Sequence, residues 1–474
     1  ALPIWFGLEW SWNGSGNFSV NHELDEHISS YGSEAHPPAY DMCSAKAKWI
    51  RSTGKPFELW MPESIGSWGH HTVTTAATLK GTCALALANG GAVTVNHAPV
   101  PTGDYGGRAA PAVYELITEV FSWIQERDKF CTDTRPVADF GILHSETNTI
   151  FERSRRAAAA SGCGENADFP HWMVGQAAAY ACAAIIDQVQ VPYGFINGEF
   201  NLEKGRVSQN AKDFAGILLP NVGYMSEETA EYFRTYVTEG GTLLSFYTSS
   251  LLDTDGHPGD NFLLADVLGV DYKGLFDFSA SYLGQFSAAL ADALPDIPLL
   301  FKDTGYQQTS KNRALICETR MGAEVLAYLV EPVLEAEWST DFHIFHDHAP
   351  PGKKTGYPGI VRNNFGKGVS IFLAVPLLES FVLQPNPWYR NLVRACLRLL
   401  DVHERVVVDG PSSARIVANE NEEGWLVHVI RLQQETGGIL LEADGKIDVS
   451  CTCLPPWPVD EVRDEIDGTS LEFV

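Results

Sequence analysis

Long apolar runs are missing from this 474-residue sequence. Nothing in it approaches the roughly 18 consecutive apolar residues of a membrane-spanning helix, and its apolar stretches, such as Gly216-Ile217-Leu218-Leu219-Pro220, have strand length. Positive charge is also scarce, with 33 lysines and arginines against 60 aspartates and glutamates. The resulting formal charge of −27 excludes the basic surface that nucleic acid or an anionic membrane requires; a soluble protein with a neutral or cationic ligand is expected. No Walker-type phosphate loop and no Gly-x-Ser-x-Gly elbow is present. The nine cysteines include no Cys-x-x-Cys pairs matched to histidines, the closest spacing being Cys451-Thr452-Cys453, so no metal and no cofactor is expected.

An odd cysteine count, with Cys83, Cys182, Cys317 and Cys396 inside apolar segments, reads as buried free thiols in a reducing compartment, and the expected location is cytoplasmic. Two glycosylation triplets, Asn13-Gly14-Ser15 and Asn17-Phe18-Ser19, keep secretion open, although no signal peptide is visible. The sequence opens at Ala1 rather than Met, which implies that something has been removed.

Residues 1–134 contain three strand candidates, around Pro3 to Trp10, Phe57 to Met61 and Ala92 to His97, separated by helical spacing over Tyr40 to Ser52 and Thr74 to Ala88. Strand and helix alternating at this rhythm imply parallel pairing, and the length is about half of the ~250 residues of a complete (β/α)8 barrel. Residues 135–401 predict a doubly wound α/β domain. Its strands are expected at Val137 to Leu143, Tyr193 to Ile196, Ala215 to Leu219, Thr242 to Phe246 and Val369 to Ala374, and its helices at His171 to Asp187, after Ser226, and at Trp388 to Leu400. Residues 272–352 look less regular and read as an insertion. Residues 402–474 alternate in short runs, including Arg405 to Asp409 and Gly424 to Ile430, as in a small β-sandwich.

Reacting groups of a parallel barrel project from the C-terminal ends of its strands, which singles out Glu9, Glu58 and Glu63. Trp5, Trp10, Trp12, Trp60 and Trp68 surround them, and an indole offers a flat apolar face to the C–H surface of a sugar ring. Core packing is the competing reading of the tryptophans, and a buried structural carboxylate that of Glu58. His70, His71, Asn96 and His97 follow strand ends, where they are candidates to bind sugar hydroxyls or to hold the proton state of a carboxylate. The adjacent pair His70 and His71 points to opposite sides of an extended segment and does not make a metal site.

The run Phe57-Glu58-Leu59-Trp60 leading to Gly66-Ser67-Trp68-Gly69-His70, followed by residues 89–99 and then Thr102-Gly103-Asp104, resembles the late-barrel region of retaining α-L-fucosidases. Ile4 to Trp10 is similar to that family's nucleophile strand, but Gly7 stands where the family has its aspartate. Residues 56–64 also resemble the strand of thermophile-type β-galactosidases that ends in Met-Glu-Ser; Glu63 matches that nucleophile, with Pro62 a departure. Leu219-Pro220-Asn221, Glu239-Gly240-Gly241 and Val406 to Leu432 are similar to the glutaminase-like domain and the small β-domain of the same galactosidases.

These resemblances imply a retaining, exo-acting glycosidase with a carbohydrate substrate, in which Glu63 works with Glu58 or Glu9. They also imply a homo-oligomer, taken as a trimer, held by the glutaminase-like domain. A second polypeptide or an N-terminal fragment is expected to complete the barrel, because half of one exposes sheet edges and an apolar interior. A non-catalytic sugar-binding or assembly subunit is the rival that Gly7 favours. An amidotransferase-like enzyme would need a nucleophile at a strand-to-helix turn, which neither Cys163 nor Cys182 offers. Trp338, His343, His346 and His348 read either as a loop over a neighbouring subunit's site or as solvated surface.

Overall fold

The computed structural model describes residues 7–9, 30–34, 40–65, 72–97, 106–145, 148–149, 177–197, 211–252, 258–302, 313–334, 350–432 and 448–471, the first two segments as backbone. The expectations placed on Trp338, His343, His346, His348 and Cys163 lie outside these residues.

Strands β1 (Gly7–Glu9), β2 (Ser30–Glu34), β3 (Phe57–Pro62) and β4 (Ala92–Asn96) form one parallel sheet in chain order. Parallel neighbours need crossovers, and helices α1 (Tyr40–Arg51) and α2 (Ala76–Ala88) supply the last two, with α3 (Pro111–Gln125) after β4. Sequence spacing gives three strands here, and the structure adds a fourth, β2, which has neither an apolar run nor alternation.

Helix α2 begins where Thr75 Oγ1 accepts from the backbone N–H of Thr78 at 3.1 Å, a cap worth about 1 kcal/mol. It ends at Gly90, whose φ of 77° reverses the chain into β4. A side chain at Gly91 would lie 2.4 Å from the Phe57 ring, so glycine there lets β3 and the turn close up.

A nine-stranded sheet forms the middle of the molecule. Its parallel part consists of β6 (Phe140–His144), β7 (Tyr193–Asn197), β8 (Gly216–Pro220), β9 (Thr242–Phe246) and β16 (Gly368–Leu373), lying in the order β7-β6-β8-β9-β16. Every described position of β6, β8 and β9 is buried, as expected of strands covered on both faces. Helices α4 (Ala177–Gln188) and α5 (Glu227–Thr238) cross between strands, the latter capped by Ser226, which accepts from the N–H of Thr229.

The region read as an insertion carries strands of the same sheet. Strands β11 (Ser281–Gly284), β12 (Leu299–Phe301), β14 (Glu324–Pro332) and β15 (Pro351–Phe365) continue the same sheet antiparallel beyond β16, so it is mixed rather than doubly wound throughout. Strands β10 (Val270–Leu275) and β13 (Leu315–Thr319) pair separately. After α6 (Leu377–Leu383) and α7 (Pro387–Leu399), β17 (Val406–Asp409) pairs with β20 (Ser450–Cys453), and β18 (Ala414–Asn421) with β19 (Gly424–Arg431). The two-residue strand β5 (Arg135–Pro136), which follows the first sheet, joins the outer edge of β18. Val137, Val406, Val408, Ile416 and Ala418 share one small core.

The first sheet and the large one are not packed independently. One apolar core runs from Leu59, Met61 and Leu79 through Trp49 and Tyr180 to Leu392 and Leu397. Polar links reinforce it: Lys48 Nζ meets Asp187 Oδ1 at 2.8 Å, Arg415 Nε donates to Asp41 at 2.8 Å, and Arg51 Nη1 donates to Asn419 Oδ1 at 2.8 Å. Asn419 is fully buried, and its amide donates in turn to the Ala88 carbonyl. Among the described residues, no helix is long and apolar enough to cross a membrane.

Candidate active site

Alternation along β3 sorts its side chains. Phe57, Leu59 and Met61 are buried in the core that α1 and α2 share, while Glu58 and Trp60 occupy the opposite face and are only partly buried. Because β4 runs alongside in register, with Trp60 opposite Thr94 and Pro62 opposite Asn96, Thr94 and Asn96 share that second face. Glu58 is held there by Thr94, whose hydroxyl donates to Glu58 Oε2 at 2.6 Å.

Glu63 and His97 each stand one residue beyond these paired strands, so the ladder brings them side by side. The N–H of Glu63 continues it by donating to the Asn96 carbonyl at 3.2 Å, and the Glu63 carbonyl accepts from Thr74 at 2.8 Å. His97 Nδ1 lies 2.5 Å from Glu63 Oε1, with the Glu63 side chain 9% exposed and that of His97 25%. His97 Nε2 is buried and meets no hydrogen-bond partner among the described residues. With the proton on Nδ1, the imidazole donates to an ionised Glu63 and leaves Nε2 free to accept; with it on the carboxyl, Glu63 donates. Both residues continue the alternation of Met61 and Val95, and the Glu63 backbone meets that of Thr74, while the sheet's open face carries Glu58, Trp60, Thr94 and Asn96.

The structure does not bring the three glutamates together. Glu58 is the second residue of β3, not its end, and stands five positions before Glu63, about 16 Å at ~3.3 Å per residue. Glu9 lies level with Gly32, and Gly32 with Glu58, so the backbone of Glu9 is equally far back along the sheet and two strands across. The side chain of Glu9 and residues Trp5, Trp10, Trp12, Trp68, His70 and His71 lie outside what the structure describes. Among the described residues, no three His, Cys, Asp or Glu side chains cluster to hold a metal. The Glu63–His97 contact itself escapes sequence reading, because 34 residues separate the partners; only the matched strand ends announce it.

No protein-family model matches the sequence, and no curated protein does. Solved structures do. An α-L-fucosidase isoenzyme 2 from Paenibacillus thiaminolyticus superposes with a TM-score of 0.67 at 17% identity, over 86% of this chain and 55% of that one. A GH42 β-galactosidase from G. stearothermophilus gives 0.64 at 15% identity, over 95% of this chain and 58% of that one. The chain shares the fold of glycoside hydrolases. A cold-adapted β-galactosidase from Rahnella sp. R3 agrees, with a TM-score of 0.63 at 14% identity over 94% of this chain and 63% of that one. The chain thus spans between 55% and 63% of the length of these three structures.

Proposed function

We propose that this chain belongs to a retaining, exo-acting glycosidase, α-L-fucosidase-like or β-galactosidase-like, that removes a terminal sugar by carboxylate double displacement with Glu63 as one of the two carboxylates. The observation that carries the proposal is the burial of Glu63 one residue past the end of a parallel strand, with its carboxyl against an imidazole from the next strand end. In this reading the first sheet is half of a (β/α)8 barrel, the nine-stranded unit is glutaminase-like, and the C-terminal strands form a β-sandwich.

Glu63, held in place by its contact with His97 Nδ1, is the nucleophile. It attacks the anomeric carbon, the leaving oxygen takes a proton from a second carboxylic acid, and that group then deprotonates the water that releases the sugar. The two carboxyls of a retaining pair stand about 5 to 5.5 Å apart. Glu58 does not meet that spacing from its place on β3, so the second carboxylate comes from the strands that complete the barrel, in a second polypeptide or an N-terminal fragment. Trp5, Trp10, Trp68, His70 and His71 line the rim at which the sugar is taken, and Trp60 and Asn96 stand on the open face of the same sheet. The nine-stranded unit makes the homotrimer.

A non-catalytic sugar-binding subunit is the second reading, favoured by the separation of Glu58 from Glu63, which stands beyond the end of the strand that carries Glu58. The test is turnover of nitrophenyl fucosides and galactosides by the assembly purified from its source, comparing wild type with Glu63→Gln and Glu58→Gln. Loss with Glu63→Gln and retained sugar binding supports the enzyme. Full turnover by Glu63→Gln removes Glu63 from the chemistry, and loss with Glu58→Gln alone moves the reaction to the open face.

A further inference from the structure

Among the described residues, a pair of reactive side chains on the C-terminal strands takes no part in the site on the first sheet. Cys451 and Cys453 lie on β20, two residues apart and therefore on one face, with their sulfurs 3.4 Å from each other. Both are exposed, whereas Cys43, Cys83, Cys131, Cys182, Cys317 and Cys396 are all buried free thiols. Burial pushes the thiols of Cys43, Cys83, Cys317 and Cys396 up to about 12, which keeps them inert at neutral pH. The exposed pair behaves differently. Its two sulfurs lie close enough to share a hydrogen bond.

Two outcomes are open to adjacent thiols, and the strand decides between them. Residues two apart on an extended strand have Cα atoms separated by about 6.6 Å, at the outer limit of what a disulfide bridges, so closing one requires β20 to pucker out of its ladder. That ladder is complete, with Cys451 opposite Val408 and Cys453 opposite Val406, and Val406 and Val408 are anchored in the small core. Chelation leaves the backbone alone. An ion about 2.3 Å from each sulfur subtends an angle of about 95° at the observed spacing, and rotation of two exposed side chains opens it further.

The donor set also selects the ion. A structural zinc takes four ligands, and among the described residues no third His, Cys, Asp or Glu joins the pair. Soft thiolates with few partners favour Cu(I). We propose that Cys451 and Cys453 form a two-thiolate chelate for a soft, thiophilic cation of the Cu(I) class. Binding releases the thiol protons to solvent and involves no change of oxidation state.

The experiment is an anaerobic titration of the reduced full chain with Cu(I) held in a chromophoric chelator of known affinity, repeated on Cys451→Ser and Cys453→Ser. Both substitutions are at exposed positions, and circular dichroism checks that each variant is folded. Wild type is expected to withdraw one Cu(I) per chain. Each single variant is expected to bind about 10² to 10⁴-fold more weakly, the usual loss when a second tethered ligand is removed. Failure of wild type to compete, uptake unchanged in either variant, or loss in only one of the two overturns the proposal. A Cys182→Ser control, which alters a buried thiol on α4, is expected to leave the uptake unchanged.

Discussion

Lys48 and Asp187 meet at 2.8 Å with side-chain exposures of 5% and 1%, so the helix between β2 and β3 is tied to the helix between β6 and β7 by a buried ion pair. Asp187 also accepts from the Tyr193 hydroxyl at 3.1 Å, and Lys48 donates to Ser44 at 2.7 Å, so the charges are hydrogen-bonded as well as paired. The pair fixes how the sheet that carries Glu63 sits against the larger one.

Removing one partner of this pair strands the other charge away from water. Lys48→Met is expected to lower unfolding stability by about 3 to 5 kcal/mol, and Lys48→Met with Asp187→Leu to recover most of the loss. Urea unfolding of both variants measures this. A double variant no more stable than the single one would mean that the ion pair, not the packing around it, holds the joint.

Asn419, on β18, ties the C-terminal strands to the first unit, since its side chain accepts from Arg51 and donates to the carbonyl that ends α2. Asn419→Ala leaves a buried guanidinium one acceptor short and is expected to cost about 1.5 to 3 kcal/mol. The thermal midpoint of the full chain reports it.

His144 makes stability depend on pH. It is buried at the end of β6 with its ring 4.8 Å from that of Trp49, and burial pushes its pKa down to about 4. Between that value and the ordinary ~6.5, the unfolded chain binds a proton that the folded chain refuses, so stability rises with pH across this window and is lost as pH falls through it. The contribution is about 3 kcal/mol, and His144→Phe, which cannot be protonated, is expected to flatten that part of the curve. Urea midpoints at pH 7 and pH 4.5 for both proteins give the comparison, and parallel curves would assign the slope to other groups.

Much of the parallel architecture is legible because buried parallel strands are apolar runs punctuated by Gly and Pro. Gly216 to Pro220 and Thr242 to Phe246 read directly, and the Gly-Gly pairs at 90–91 and 240–241 end their helices at positive φ as turns of that kind require. The antiparallel half is not legible. The first half of β15, Pro351 to Tyr357, is largely exposed and rich in Gly, Lys and Pro, so neither apolar content nor alternation marks it, and its partner β14 pairs through several register shifts. At the site, Glu63 is legible from its place after Pro62. So is the place of Glu58, second in a strand read as Phe57 to Met61, whereas the Glu63–His97 contact needs the register of β3 against β4.

Turnover of nitrophenyl glycosides by the Glu63→Ala assembly, with and without sodium azide, tests whether Glu63 is the nucleophile. A nucleophile held as proposed predicts a loss of at least about 10³-fold, partly restored by azide with formation of the glycosyl azide of inverted configuration. Turnover equal to wild type, or a loss that azide leaves untouched, would contradict the assignment of Glu63 as the nucleophile.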